Sequence, residues 1–192
     1  EAQKRLNKID NQKRIVICQF GDGAMEEGVF TESINYASLK QLPILFACED
    51  NELAIHSFQD ARTPNTSYEK RIESYGLKTS SYTYKQPNDL SNGINKAIYE
   101  VRNSIPHFLI VKCYRWMEHV GVGFDWNLGY RDKKDLDHWK MFDLETNPKL
   151  WGFDKEYINS VNIMVKERVN TIFAESHTKE SAPNSSLLKN IY

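Results

Sequence analysis

The apolar positions of this chain fall into short continuous runs that alternate with longer stretches of helical spacing. Ile15-Val16-Ile17-Cys18-Gln19-Phe20 is almost unbroken, the pattern of a buried strand in a parallel sheet. Glycines at 21, 23 and 28 interrupt the chain after it, and a helix is predicted over about 27–40 with Phe30, Ile34 and Ala37 on one face. Pro43 opens a second strand at 44–48, which ends in the cluster Glu49-Asp50-Asn51. A polar stretch through Ser57 and Pro64 leads to a helix over roughly 68–75 and a third strand over 79–84. The clearest helical period lies in 89–104, where Leu90, Ile94, Ala97, Ile98 and Val101 recur on one side. A fourth strand at 108–111 precedes 116–129, a glycine- and tryptophan-rich segment too long for a simple connection. A last helix is expected over about 155–173, with Tyr157, Val161, Met164 and Ile172 on one stripe.

Strands separated by helices predict an α/β fold, a doubly wound and mainly parallel sheet with helices on both faces. The domain is assigned to residues 1–175, leaving 176–192 as a polar tail that frays or reaches a neighbour. Ligands on such sheets lie at the carboxyl ends of the strands. The unusual loops are those after the first, second and fourth strands, so 21–28, 49–57 and 115–125 are expected at one end of the sheet.

Composition narrows the function classes. The 192 residues hold 25 Lys and Arg against 26 Asp and Glu, a net charge of -1, which gives no support to a nucleic-acid binder. Hydrophobic residues at 40% and aromatics at 12% are too rich for a disordered chain. No run of 18 apolar residues is present, so no membrane-spanning helix is expected, and no basic-then-apolar leader points to secretion. Cys18, Cys48 and Cys113 are scattered through apolar segments and read as buried free thiols. The triplets at Asn65 and Asn184 match the glycosylation pattern by chance. Glu1 already stands inside a helix-like stretch, so the sequence is expected to be part of a longer chain.

Gly21-Asp22-Gly23-Ala24 sits at a strand-to-helix turn. Glycines there let backbone amides approach a phosphate, and a helix N-terminus favours negative charge. A carboxylate in the same turn repels phosphate unless a cation lies between them, which points to magnesium bridging to a diphosphate. From this motif alone, the reading of Asp22 as a simple helix cap stays open. The dinucleotide fingerprint is not met, because the glycine after Gly23 comes at 28, two positions late. Asn51 follows the second strand, 29 positions after Asp22, the spacing of one strand-turn-helix-strand unit. It therefore arrives beside Asp22, and a carboxylate with an amide oxygen and a backbone carbonyl suits magnesium.

Gly-Asp-Gly, about thirty residues and then an asparagine pair is the signature of thiamine diphosphate enzymes. The text GDGAMEEGVFTESINYASLKQLPILFACEDN resembles the alpha subunit of the decarboxylating component of 2-oxo acid dehydrogenase complexes of the pyruvate, branched-chain and acetoin types. The similarity continues through Asn88-Asp89 and FLIVKCYRW to His119 and Tyr130-Arg131, about three quarters of the chain. The resemblance implies that Asp22, the Asn51 side chain and the Leu53 carbonyl hold magnesium, while Gly21, Gly23 and Ala24 lie against the diphosphate. It implies Ile55 as the bulky apolar residue under the bent cofactor. His119 matches the second histidine of a flexible loop facing the diphosphate, where it would act at the active-site mouth. Arg115 and Tyr130-Arg131 match residues that order that loop.

The same resemblance implies a partner: a beta-type subunit carrying the aminopyrimidine-binding domain and the activating glutamate, in a heterotetramer. A lipoyl acyltransferase and a small 2-oxo acid complete the expected set, in the cytoplasm or, in a eukaryote, the mitochondrial matrix. The sequence departs from the pattern in three places: the usual Asn-Asn is Asp50-Asn51, the usual His-Gly-His is Met117-Glu118-His119, and the segment between His119 and Tyr130 is a little longer than in the family. Two alternatives follow, a thiamine diphosphate-dependent carboligase or lyase without a lipoyl partner, and a non-catalytic subunit of the same fold. A nucleotide-binding Rossmann domain ranks last. His56 is a surface loop residue or touches substrate, His107, His138 and His177 read as structural or exposed, and the four tryptophans as packing or interface residues.

Overall fold

The computed structural model describes residues 1–64, 67–181 and 183. Its elements run α1 (Ala2–Asp10), β1 (Val16–Gly21), α2 (Gly28–Lys40), β2 (Ile44–Asp50), β3 (Leu53–Ala54), β4 (Ser57–Phe58), α3 (Tyr68–Glu73), β5 (Lys78–Thr83), α4 (Pro87–Arg102), β6 (His107–Lys112), α5 (Lys133–Lys140) and α6 (Lys155–His177). The main sheet has the order β1-β2-β6-β5, parallel throughout, and β3-β4 form a separate antiparallel hairpin.

That order explains where the helices go. From β1 to β2 to β5 the chain steps across the sheet in one direction, and from β5 to β6 it steps back. A right-handed crossover places its helix on one face for a forward step and on the other for a backward step. Accordingly, Phe30, Ile34 and Ala37 of α2 and Ile72 of α3 pack with Phe46, Cys48, Phe108 and Ile110 on one face. Ala97 and Val101 of α4 pack with Leu45 and Leu109 on the other. Phe108, at 0% exposure, is the hub of the first layer, its ring meeting Phe20 and Phe30 edge-on and Phe46 in a stack. The doubly wound α/β reading is what the chain adopts.

The first strand corrects the expectation of burial. Among the described residues β1 is an edge strand, paired only with β2, and Val16 and Ile17 are 41% and 55% exposed. A continuous apolar run signals covering on both faces, but α4 lies over β2, β6 and β5 and leaves β1 open. Cys18 is exposed for the same reason, against the buried reading, whereas Cys48 is buried and Cys113 half-buried. The stripe on α6 is also open: Tyr157, Met164 and Ile172 are exposed and only Ile158 of this helix is buried. α6 continues to His177, past the assigned domain boundary, and residues 182 and 184–192 of the tail lie outside the described residues, as do Asn65 and Asn184 of the two triplets.

α5 had no sequence forecast, since Leu136 is its single buried residue; its start is fixed by Asp132, whose side chain accepts from the Lys134 backbone N–H. Trp139 stacks on Tyr114 and Trp151 packs on Tyr84, so these two tryptophans are packing residues. Among the described residues no helix is long and apolar enough to cross a membrane.

Candidate functional site

The register brings the three unusual loops together. Gly21 pairs with Glu49 and Asp50 with Lys112, so β1, β2 and β6 end side by side. Gly21, Gly23, Ala24, Asn51, Leu53, Ala54, Ile55, Arg115 and His119 line one cavity of about 300 Å³ at that end. Seven of these are sequence-predicted cofactor residues; Asp22 is the eighth, lying fully buried between Gly21 and Gly23.

Asp22 does not cap α2. It begins a 3-10 turn at Asp22–Glu26, and α2 starts only at Gly28. One carboxylate oxygen, Oδ2, takes a hydrogen bond from Arg62 Nη2 at 2.5 Å. The other, Oδ1, is buried and has no partner among the described residues. A buried carboxylate oxygen left unmet is expensive, so it marks a place for a donor or a cation. Gly23 is required by close approach: a Cβ there would stand 2.7 Å from Ala54 Cβ and 3.4 Å from its Cα. The turn after β1 is thus pressed against the hairpin after β2.

That hairpin is tightly wound. The Asn51 amide oxygen accepts from the Leu53 N–H at 3.1 Å, and Asp50 Oδ1 accepts from the Glu52 N–H at 3.2 Å. Leu53 pairs with Phe58 and Ala54 with Ser57, leaving Ile55-His56 as a two-residue turn. Such turns need a positive φ, usually from glycine or asparagine. Here Ile55 takes φ 55°, and the residue is 52% exposed and lines the cavity. A β-branched residue in that region is strained, a condition that clusters at ligand-binding sites.

The electrostatics of the floor are set by carboxylates. Burial, and next the charge of Asp22, push the Asp50 carboxyl above its ordinary range. Burial with the charges of Glu49, Asp50 and Asp22 pushes the Cys113 thiol up to about 12, and burial raises Cys48 as well. Neither thiol is a nucleophile at neutral pH.

The loop after β6 is held by one buried carboxylate. Asp125, at 0% exposure, accepts from Arg115 Nη2 at 2.7 Å, from Arg131 Nε at 2.5 Å and from the Tyr130 hydroxyl. Burial pushes its carboxyl up, but the hydrogen bonds from Tyr130, Arg131 and Arg115 outweigh this and hold it below the usual carboxylate range. Arg115 also donates to the Ile55 carbonyl at 2.8 Å, and Arg131 to the Arg115 carbonyl at 2.5 Å. One guanidinium therefore ties the Ile55 turn to the loop that carries His119. Glu118 folds inward, accepting from the Gly123 N–H at 3.0 Å, and its carboxylate fills the space beside Gly121 and Gly123.

Residues 2–179 match the family model described as "Dehydrogenase E1 component". The chain belongs to this dehydrogenase E1 family. It is 30% identical over 172 residues to the "Pyruvate dehydrogenase E1 component subunit alpha" of Rickettsia bellii, covering 84% of this chain and 52% of that relative. It is 26% identical over 125 residues to the "2-oxoisovalerate dehydrogenase subunit alpha" of Bacillus subtilis, covering 65% and 37%. The chain spans about half the length of the pyruvate dehydrogenase alpha subunits of Rickettsia that it matches. Among solved structures, a transketolase from Campylobacter jejuni superposes on 58% of this chain and 18% of its own at 22% identity and a TM-score of 0.48.

In this E1-family chain the structure brings every predicted cofactor residue to one end of the sheet, and two charged residues that sequence reasoning missed, Asp125 and Arg62, pair with Arg115 and Asp22 beside them. Asp125 gave no signal, being an isolated polar residue in a glycine-rich stretch. Arg62 lies 40 positions from Asp22 in a polar loop without periodicity. His56 packs on Tyr130 in a tilted arrangement, with ring centroids 4.8 Å apart, and is not among the residues that line the cavity. His107 is buried, with Nε2 on Ser80 Oγ at 2.8 Å and Nδ1 on Glu100 at 2.9 Å, far along the sheet from the cavity.

Proposed function

We propose that this chain is the diphosphate- and magnesium-binding wall of a thiamine diphosphate-dependent 2-oxo acid dehydrogenase, in the place of its alpha subunit. The observation that carries the reading is the Gly21-Asp22-Gly23 turn. It holds a fully buried carboxylate with one oxygen unpartnered among the described residues, beside a glycine packed too closely for any side chain, on a cavity shared with Asn51 and Leu53. The residues present fit the implied group.

Asp22, the Asn51 side chain and the Leu53 carbonyl would hold magnesium, hard oxygen ligands for a hard cation. Gly21, Gly23 and Ala24 would lie against the diphosphate, with Ile55 beneath the bend of the cofactor and His119 at the mouth. Thiamine diphosphate, when bound, supplies the electron sink that lets a 2-oxo acid lose carbon dioxide. The chain's own work is anchoring and exclusion. Arg115 holds the Ile55 turn, the Asp125 network fixes the loop after β6, and that loop presents His119 to the cavity. The activating glutamate and the aminopyrimidine pocket are assigned to a beta-type subunit, in a heterotetramer that passes the acyl group to a lipoyl carrier, in the cytoplasm or mitochondrial matrix. The names borne by the relatives, pyruvate and 2-oxoisovalerate dehydrogenase alpha subunits, support this reading.

The test is turnover by the protein in the assembly in which it purifies, supplied with thiamine diphosphate, magnesium, a panel of 2-oxo acids and a lipoyl domain. Carbon dioxide release with acylation of the lipoyl domain is expected. Aldehyde or ketol release without acylation would favour the carboligase reading, and an assembly that binds cofactor but turns over no 2-oxo acid would favour a non-catalytic subunit.

A further inference from the structure

The ion pair between Arg62 and Asp22 carries two unmet demands of opposite sign. Arg62 Nη2 is 2.5 Å from Asp22 Oδ2, and Arg62 Nε donates to the Phe58 carbonyl at 3.3 Å. The remaining guanidinium nitrogen, Nη1, is buried and has no partner among the described residues. A Cβ on Gly23 would lie 3.8 Å from that nitrogen, so the free donor stands beside the Gly21–Ala24 turn. Across the pair, Asp22 Oδ1 is buried and equally without a partner.

A buried acceptor wants a cation or a donor, and a buried donor wants an anionic oxygen. A bare cation would satisfy the carboxylate and leave the guanidinium unmet. A bare anion would do the reverse, and would meet the charge of Asp22. A magnesium–diphosphate unit satisfies both at once. We infer that Arg62 is a direct ligand of the diphosphate, bridging it to the carboxylate that holds the metal. This rests on the proposed cofactor and adds to it a recognition residue outside the Asp22-to-Asn51 signature.

The geometry also explains why the residue is arginine. The planar fork can keep Asp22 on one nitrogen and offer the other to a phosphate oxygen, while a lysine ammonium has one compact head for both tasks. Half-buried among Phe58, Gly23 and Asp22, the side chain has its orientation fixed before the ligand arrives.

The experiment is calorimetric titration of the protein, in the assembly in which it purifies, with magnesium pyrophosphate and separately with magnesium thiamine diphosphate. Wild type is compared with Arg62→Lys and Arg62→Met. Arg62→Lys keeps a cation beside Asp22, so its melting temperature should stay close to wild type, while affinity for both probes falls about tenfold or more, the loss of one charge-assisted hydrogen bond. Arg62→Met should lose at least as much. Unchanged or tighter binding by Arg62→Lys, or by a folded Arg62→Met, would overturn the inference, because it would show Arg62 to be a stand-in for the metal and not a ligand of the anion. Failure of wild type itself to bind either probe would remove the cofactor reading, and the role of Arg62 with it; weakened binding confined to the variants supports both.

Discussion

Replacing Asp125 by asparagine tests whether one buried carboxylate organises the loop over the cavity. The substitution keeps the shape and removes the charge that faces Arg115, Arg131 and the Tyr130 hydroxyl. Arg131 is 3% exposed and Arg115 13%, so water cannot readily replace the lost partner. Breaking a buried pair by removing one partner costs about 3–5 kcal/mol. The cost should fall on residues 115–131, because the sheet beneath is held by its own ladder and by the aromatic layer around Phe108. Hydrogen exchange reads this directly. The amides of Glu118, which donates to the Gly123 carbonyl, and of Gly123, which donates to Glu118, should exchange on the order of a hundred- to several thousand-fold faster, at about 1.4 kcal/mol per decade. Amides of β2 and β6 should hold their protection. Unchanged exchange in 115–131, or uniform loss across the sheet, would refute the assignment of Asp125 as the local keystone.

Further expectations follow from packing, strain and titration. Gly23→Ala drives a methyl to 2.7 Å from Ala54 Cβ and should cost about 1–3 kcal/mol of stability by chemical denaturation while weakening cofactor binding. Ile55→Asn relieves a β-branched residue at φ 55° and should raise stability by about 1 kcal/mol, yet weaken thiamine diphosphate binding; a stability loss would refute the strain argument. His107 is held below its ordinary value of 6.5, chiefly by burial and also by the charges of Lys78 and Lys96, against the pull of Glu100. The folded state thus favours the neutral ring, and the unfolded chain gains its proton first on acidification. Stability from this site is full above pH 6.5 and falls as pH drops below it, and denaturation midpoints for His107→Gln should show a flatter slope there.

The core and the strand ends were legible because they rest on local pattern. The helical stripe of α4 and the parallel strands β2 and β6 stand where periodicity put them. Gly21, Asp22 and Asn51 could be read as one site because strand-turn-helix-strand geometry returns the chain to the same sheet edge, whereas Leu53 entered only through the family resemblance. Burial of β1 was misread because an apolar run records that a strand is to be covered, not which neighbours cover it. α5 was invisible because one buried leucine in eight residues makes no period. Asp125 and Arg62 were missed because their roles depend on contacts with residues near in space, Arg115 and Asp22, that spacing does not encode.

The central claim is that Asp22 anchors a diphosphate through a divalent cation. Thiamine diphosphate is titrated into the protein, in the assembly in which it purifies, with magnesium and then in excess chelator, for wild type and Asp22→Ala. The account predicts binding that requires magnesium and is abolished in Asp22→Ala while the variant still melts cooperatively. Binding that survives chelation, or that persists in Asp22→Ala, would contradict it.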